Sequence, residues 1–280
     1  MNEAEIKRIK RRIFWWNFIK YGFMIFISAP IILFYSWLFI GAFKGKHGFT
    51  LHNWRFLWEK TVLKGLPNIW GVTLNTLILA GGVALFTILV ATLGGYALSR
   101  LEFKGRGPLL GFTLALHAFP SITLLVAIFY ILRTLGLLNT LGGVILVKVA
   151  LELPFATWVM KGFYDSIPWD IEISAIVDGA SRFQTWFKVM LPLAKPGIGA
   201  LSIFSFLSGW SEFVFVYTFI LNEKAWTLST YLKGIIGEFR FVDYGLLTAV
   251  SVFYMIPTLI FFIFAQKHLL KITMGGVKGA

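Results

Sequence analysis

The chain has 280 residues, 58% of them apolar, 18% aromatic and only 14% charged, and its mean hydropathy is +0.77. A water-soluble domain cannot hide that much apolar surface, so the composition excludes one. The formal charge of +13 is carried by residues at the ends of apolar runs and not along one stripe, so an anionic membrane surface is the expected partner and nucleic acid is not. With no cysteine at all, disulfides, thiol catalysis and cysteine metal sites are ruled out.

Lys7, Arg8, Lys10, Arg11 and Arg12 precede an apolar stretch that runs from Ile13 to Phe43 with one interruption at Lys20. A cleavable signal has a shorter core and a small-residue cleavage site, so this is read as an uncleaved signal anchor. A hydrocarbon core about 30 Å thick needs about 20 apolar residues at about 1.5 Å of rise each. Segments 18–43, 70–98, 107–132, 140–164, 196–221 and 244–269 qualify, which predicts an all-α membrane protein of about six transmembrane helices. Within 70–98 there is no charge, and Gly81, Gly82, Ala91, Gly94 and Gly95 are small enough to admit a neighbouring helix. Lys and Arg collect on alternate connections, which places both termini in the cytoplasm. The chain then divides into an N-terminal segment with the first span and first outside loop (1–69), a five-helix core (70–271) and a cytoplasmic tail (272–280). Trp54, Trp58, Trp70, Trp169 and Trp226 lie near span ends, where amphipathic rings anchor to the interface.

The longest inside connection, 165–195, is too polar to span and too apolar for a plain linker. Pro168 suits a helix start, and Ile171 to Val177 provide about two turns. Asp178-Gly179 predicts a turn in which glycine takes a positive φ. Ser181 and Gln184 have capping-box spacing, so a second short helix begins there, with Pro192 marking its end. Phe183, Trp186, Phe187 and Met190 recur at three- and four-residue spacing and form its apolar face. That face either docks on a partner or folds back on the chain's own bundle or the lipid interface.

No G-x-x-x-x-G-K-[ST] phosphate loop is present, so any ATP must be handled by another chain. H-E-x-x-H and G-x-S-x-G are also missing, His47, His52, His117 and His268 are scattered, and no catalytic or metal-binding constellation emerges. His117, near Pro120, reads as a hydrogen-bonded bundle residue. Lys148 and Glu152 stand four apart within a predicted span, where an unpaired charge costs roughly 2.5–3.5 kcal/mol, and are expected to pair on one helix face.

The connection 165–195 resembles the coupling-helix signature of ABC importer permeases: a Glu-Ala-Ala triplet, a glycine four residues after it, and a hydrophobic-x-Leu-Pro ending. Here the glycine is Gly179, within Val177-Asp178-Gly179-Ala180-Ser181, and the ending is Val189-Met190-Leu191-Pro192. The triplet departs from the pattern, reading Ile173-Ser174-Ala175, with Glu172 one place early. Further stretches carry the resemblance along the chain: Asn75-Thr76-Leu77, Tyr96-Ala97-Leu98-Ser99-Arg100 through Arg106, Leu135-Gly136-Leu137-Leu138-Asn139-Thr140, Leu153-Pro154-Phe155 and Met274-Gly275-Gly276-Val277-Lys278-Gly279. The chain is similar to carbohydrate-uptake permeases of the maltose/trehalose type that lack a large periplasmic insertion.

The resemblance implies a type I importer permease in a prokaryotic plasma membrane, paired with a second permease subunit. It would sit on two copies of a cytoplasmic ATPase, which bind ATP and Mg2+ while this chain binds no cofactor, and receive sugar from an extracytoplasmic binding protein. Asp178, Gly179, Ala180, Ser181, Phe183, Phe187, Leu191 and Pro192 would form the coupling surface, and Gly276 and Lys278 would reach the ATPase. The outside loop 222–243 would touch the binding protein. Ser208-Gly209-Trp210-Ser211-Glu212-Phe213 resembles the Trp-Asn-Glu/Asp-Phe segment of sugar permeases with Ser211 in place of Asn. Trp210, Ser211, Glu212 and Glu152 are therefore candidates for the sugar path, with a packing role for Glu212 as the alternative. The competing class is a self-sufficient ion- or proton-coupled carrier using Glu152 and Glu212.

Overall fold

The computed structural model describes residues 3–60, 62–63, 65–237 and 242–275. Helix α1 (Glu3–Phe43) is one continuous rod of 41 residues, so the predicted span 18–43 is the apolar part of a longer helix. Apart from the half-buried Leu38, its large apolar residues between Ile13 and Ile40 are exposed, so this stretch of the rod expects lipid or another chain around it. A two-residue hairpin, β1 (Lys44–Gly45) and β2 (Gly48–Phe49), and a 3-10 turn, His52–Leu57, follow. There the buried Asn53 amide donates to the carbonyls of Gly41, Ala42 and Lys44 at 3.3, 3.2 and 3.1 Å. One side chain thus satisfies acceptors that the end of α1 leaves open.

Helix α2 (Ile69–Arg100) begins on an Asn68 side-chain cap. After it come α3 (Arg106–His117), a 3-10 turn at Ser121–Leu124, and α4 (Leu125–Thr134). Within the predicted span 107–132, α3 and the run Ser121–Thr134 are bent by 91° relative to one another. Pro120 accounts for the break: it has no N–H to continue the ladder and pushes Phe119 away from helical geometry. Helix α5 (Leu141–Asp165) starts on Thr140, whose hydroxyl accepts from Gly143 N–H.

Two short helices, α6 (Trp169–Val177) and α7 (Arg182–Thr185), lead into a π-wound turn, Trp186–Met190, and a last α-helical piece, α8 (Leu191–Leu193). The chain turns by 76° between Leu193 and Lys195 into α9 (Lys195–Trp210). Helix α10 (Val214–Phe219) completes the predicted span 196–221, which is interrupted at 211–213. A 3-10 turn (Glu223–Ala225), α11 (Leu228–Ile236) and α12 (Tyr244–Gly275) finish the described chain. Among the described residues, four helices are long and apolar enough to cross a bilayer unbroken, or six spans if each bent pair counts as one.

Three apolar clusters are stacked along α2. One joins its start to the ends of α1 and α9 and to α11 and α12, through Phe56, Ile69, Trp210, Tyr231 and Leu246. A second joins its middle to α4, α5 and α10 through Leu79, Leu132, Val144 and Phe219. The third joins its end to α5, α9 and the 165–195 connection through Tyr96, Met160, Tyr164, Trp186 and Met190.

The small residues of α2 divide by direction. A Cβ on Gly95 would lie 2.7 Å from Met160 Cβ and 2.9 Å from Lys161 N on α5, whereas one on Gly81 would meet nothing within 4 Å. No helix of this chain therefore meets Gly81 among the described residues. Gly95→Val is expected to cost about 1–3 kcal/mol or more, since backbone blocks the added carbons. Gly81→Ala should hold or raise the melting temperature of the detergent-solubilised protein, because alanine is the better helix former.

Candidate functional site

The connection between α5 and α9 folds by the local chemistry its sequence displays. Pro168 caps α6, and Gly179 has φ +91° just past its end. Gly179 N–H donates to Ile176 O and Ala180 N–H to Ala175 O, both at 3.0 Å. This is a Schellman ending, whose left-handed position favours glycine. Ser181 Oγ accepts from Gln184 N–H at 3.2 Å while Gln184 Oε1 accepts from Ser181 N–H at 2.9 Å, closing the capping box. Pro192 does not end the helix; Leu193 does, one residue later.

The apolar face of this element splits in two. Trp186 and Met190 are buried in the bundle, whereas Phe183 and Phe187 are 66% and 56% exposed and lie parallel with centroids 6.5 Å apart. Across the turn from them Val177 is 79% exposed, and Asp178, Gly179 and Ser181 face outward too. Ala180 and Leu191 are half-buried, and Pro192 is exposed. The connection thus rests one face on the bundle and presents another, apolar and exposed among the described residues, around Gly179.

The inward face is pinned by charge. Glu172 and Arg100 pair through Oε2 and Nε at 3.0 Å, each side chain 1% exposed. Tyr96 Oη donates to Glu172 Oε1 at 2.6 Å, and Arg100 Nη2 donates to Tyr164 O and Ile167 O at 2.7 and 2.5 Å. The guanidinium carbon also sits 4.6 Å from the ring centroid of Trp169, so this tryptophan covers a cation as well as marking a span end. Beside it Ser99 Oγ donates to Asp165 Oδ1 at 2.6 Å, and Arg106 Nη2 to Ser99 O at 3.1 Å. The stretch from Tyr96 to Arg106 is therefore a set of fasteners for this connection.

Inside the bundle Lys148 Nζ lies 3.5 Å from Glu152 Oε1, 3.0 Å from Glu212 Oε2 and 2.8 Å from Ser208 Oγ. The sequence gives the first pair; the other two contacts require α9 to lie beside α5. Glu212 is 8% exposed, and its other oxygen accepts from Phe215 N–H at 2.8 Å, capping α10. Trp210 is 2% exposed, stacks on Tyr254 at 5.8 Å and donates from Nε1 to Tyr254 O. Ser211 is exposed, with its hydroxyl donating to Leu207 O. Of the four candidates for the sugar path, Trp210 and Glu212 are thus held by the fold, Ser211 is open, and Glu152 is partly open. His117 stacks on Phe155, with centroids 5.3 Å apart.

At the opposite end from the 165–195 connection, other flagged stretches turn out to be anchors for one loop. Asn75 Nδ2 donates to Lys224 O and Trp226 O at 2.8 and 2.9 Å, and Thr76 Oγ1 accepts from Leu228 N–H. Asn139, at φ +62°, accepts from Leu221 and Asn222 N–H through Oδ1. Arg55 pairs with Asp243 at 2.7 Å. Burial pushes the Asp243 carboxyl up, but the Arg55 hydrogen bond and charge and the N–H groups of Leu246 and Gly245 outweigh it and hold the group below the usual carboxylate range. Gly276 and Lys278 lie outside the described residues.

Residues 88–269 match the family described as the inner membrane component of binding-protein-dependent transport systems. A sulfoquinovosyl glycerol transport permease of Agrobacterium fabrum is 37% identical over 69% of this chain and 68% of its own length. The trehalose/maltose transport permease of Thermococcus litoralis is 33% identical over 73% and 74%. A diacetylchitobiose uptake permease of Streptomyces coelicolor is 32% identical over 97% and 100%. In fold, the chain matches a bacterial ABC transporter that imports alginate, with a TM-score of 0.73 over 93% of this chain and 97% of that one at 23% identity. It also matches such a transporter in complex with its alginate pentasaccharide-bound periplasmic protein, with a TM-score of 0.69, 22% identity and coverage of 96% and 97%. The chain belongs to the family of inner membrane components of binding-protein-dependent transport systems, as a multi-pass permease subunit of an ATP-binding-cassette importer.

Proposed function

We propose that this permease carries a sugar, a maltose- or trehalose-like oligosaccharide, and that its 165–195 connection is the surface on which a cytoplasmic ATPase docks. The observation that carries the reading is the exposed apolar patch of Val177, Phe183 and Phe187 around Gly179, on an element whose other face is fixed to the bundle. Exposed aromatics beside an ordered turn are what a helix-in-groove contact requires. Docking there puts this end in the cytoplasm, with both termini on the same side, in agreement with the distribution of Lys and Arg. ATP and Mg2+ belong to two ATPase subunits, and a second permease covers the faces of α1 and the bundle that this chain leaves bare. The tail with Gly276 and Lys278 reaches toward the ATPase. The loop 222–243, tied down at its start by Asn75 and Asn139, meets a sugar-loaded binding protein. The sugar class rests on relatives whose named cargoes are all glycosides or carry glycosyl groups.

Reconstitution tests this directly. In proteoliposomes holding this chain, its partner permease and the ATPase, labelled oligosaccharide should accumulate only with ATP on the ATPase side and binding protein on the other. This chain alone should not transport under a proton or sodium gradient. Gradient-driven uptake by the single chain would overturn the reading in favour of the ion-coupled carrier.

A further inference from the structure

One residue along a helix rotates a side chain by about 100°. Glu172 stands one place before the triplet position occupied by Ile173, and this displacement turns it from the solvent face to the bundle face: Glu172 is 1% exposed and Ile173 is 50% exposed. The carboxylate is therefore out of reach of any protein docked on the connection. Everything it touches except Arg182 belongs to the buried side of this chain.

We propose that Glu172 is the positioning residue that makes α6 one rigid body with α2 and α5, so that movement imposed on the connection by a docked ATPase is delivered to these two spans. This inference rests on the docking reading above. Arg100 supplies the geometry. Its Nε meets Glu172, its Nη2 is shared by two carbonyls where the chain leaves α5, and Trp169 of α6 lies over its face. Tyr96, one turn earlier on α2, holds the other oxygen of the same carboxylate. Through two Nη2 hydrogen bonds, the Nε charge contact with Glu172 and the Trp169 ring on its face, a planar guanidinium joins three elements in one orientation, which a flexible ammonium would not do. Buried ion pairs contribute little net stability compared with apolar packing, so the significance of this one lies in its geometry. Arg182 approaches the same carboxylate from outside at 3.9 Å with its own side chain 61% exposed, a contact too solvated to bear load.

The test uses the complete transporter in proteoliposomes, reading sugar imported per ATP hydrolysed. Glu172→Gln keeps the shape and removes the charge. It should still co-purify with the ATPase and permit hydrolysis, while the import-to-hydrolysis ratio falls about tenfold, within the usual span of coupling effects. Tyr96→Phe, which removes one hydrogen bond and leaves the ion pair, should lower the ratio about threefold. Arg182→Ala should stay within about twofold of the wild-type ratio. A wild-type ratio in Glu172→Gln would overturn the proposal. So would failure of Glu172→Gln to assemble combined with an unchanged ratio in Tyr96→Phe, since the residue would then only hold the fold. If the wild-type chain itself fails to co-purify with the ATPase, it is the docking reading that falls.

Discussion

Replacing Gly179 by tryptophan is expected to abolish ATP-driven sugar uptake while the protein remains folded and inserted. A Cβ built at Gly179 meets nothing within 4 Å in this chain, so the indole would project into open space and strike no neighbour of its own. The internal penalty is confined to the backbone, whose φ of +91° suits glycine and costs an L-residue roughly 1–2 kcal/mol. That is too little to unfold a bundle with three apolar clusters. What the indole does block is the approach of a partner to the turn between Val177 and Phe183. Gly179→Asn separates the two effects, because asparagine tolerates the left-handed region and adds little bulk. It should assemble with the ATPase and retain a substantial part of the uptake, while Gly179→Trp should lose both. Uptake assays and co-purification measured on the same preparations give the answer, and wild-type import by the tryptophan variant would sink the coupling role.

The parts of this molecule that were legible in the sequence are those set by neighbours in the chain. Predicted spans 70–98 and 140–164 lie within two residues of α2 and α5. The cap at Pro168, the left-handed Gly179 and the Ser181–Gln184 box all follow from residues a few positions apart. Hydropathy is blind to direction, however, so the apolar segment 107–132 qualifies as a span without showing the 91° bend that Pro120 introduces. The split of the aromatic face has a similar cause. The i, i+3, i+4 pattern presumes α winding, but Leu191 N–H reaches back five residues to Trp186 O. This wider π turn rotates each residue by less than an α turn does. Met190 consequently joins Trp186 in the core, and Phe187 stays outside with Phe183. Pairings such as Arg100 with Glu172, Asn139 with Leu221 and Lys148 with Glu212 depend on which helices become neighbours, and no local pattern encodes them. The sequence marks those residues only as polar groups standing in or beside apolar runs, which is itself a signal that a partner must exist.

Lys148 offers the second large effect, because one cation serves two carboxylates inside the bundle. Lys148→Met should strand Glu152 and Glu212 facing each other without compensation, at a cost of about 3–5 kcal/mol, and the folded yield from membranes should collapse. Adding Glu152→Gln and Glu212→Gln to Lys148→Met removes the stranded charge and should recover most of that yield. The single carboxylate variants then apportion the roles. Glu212 holds Lys148 with one oxygen, accepts from Phe215 N–H with the other and is only 8% exposed, so Glu212→Gln, which keeps an acceptor there, should leave the KM for sugar unchanged. Glu152 sits farther from Lys148, is 19% exposed, and has capacity to accept a hydroxyl hydrogen bond. With the chain still folded, Glu152→Gln should raise the KM severalfold, since a carboxylate accepts a sugar hydroxyl more strongly than an amide does. Equal KM values for wild type and Glu152→Gln would remove this residue from the sugar path and leave the triad as a purely structural tie between α5 and α9.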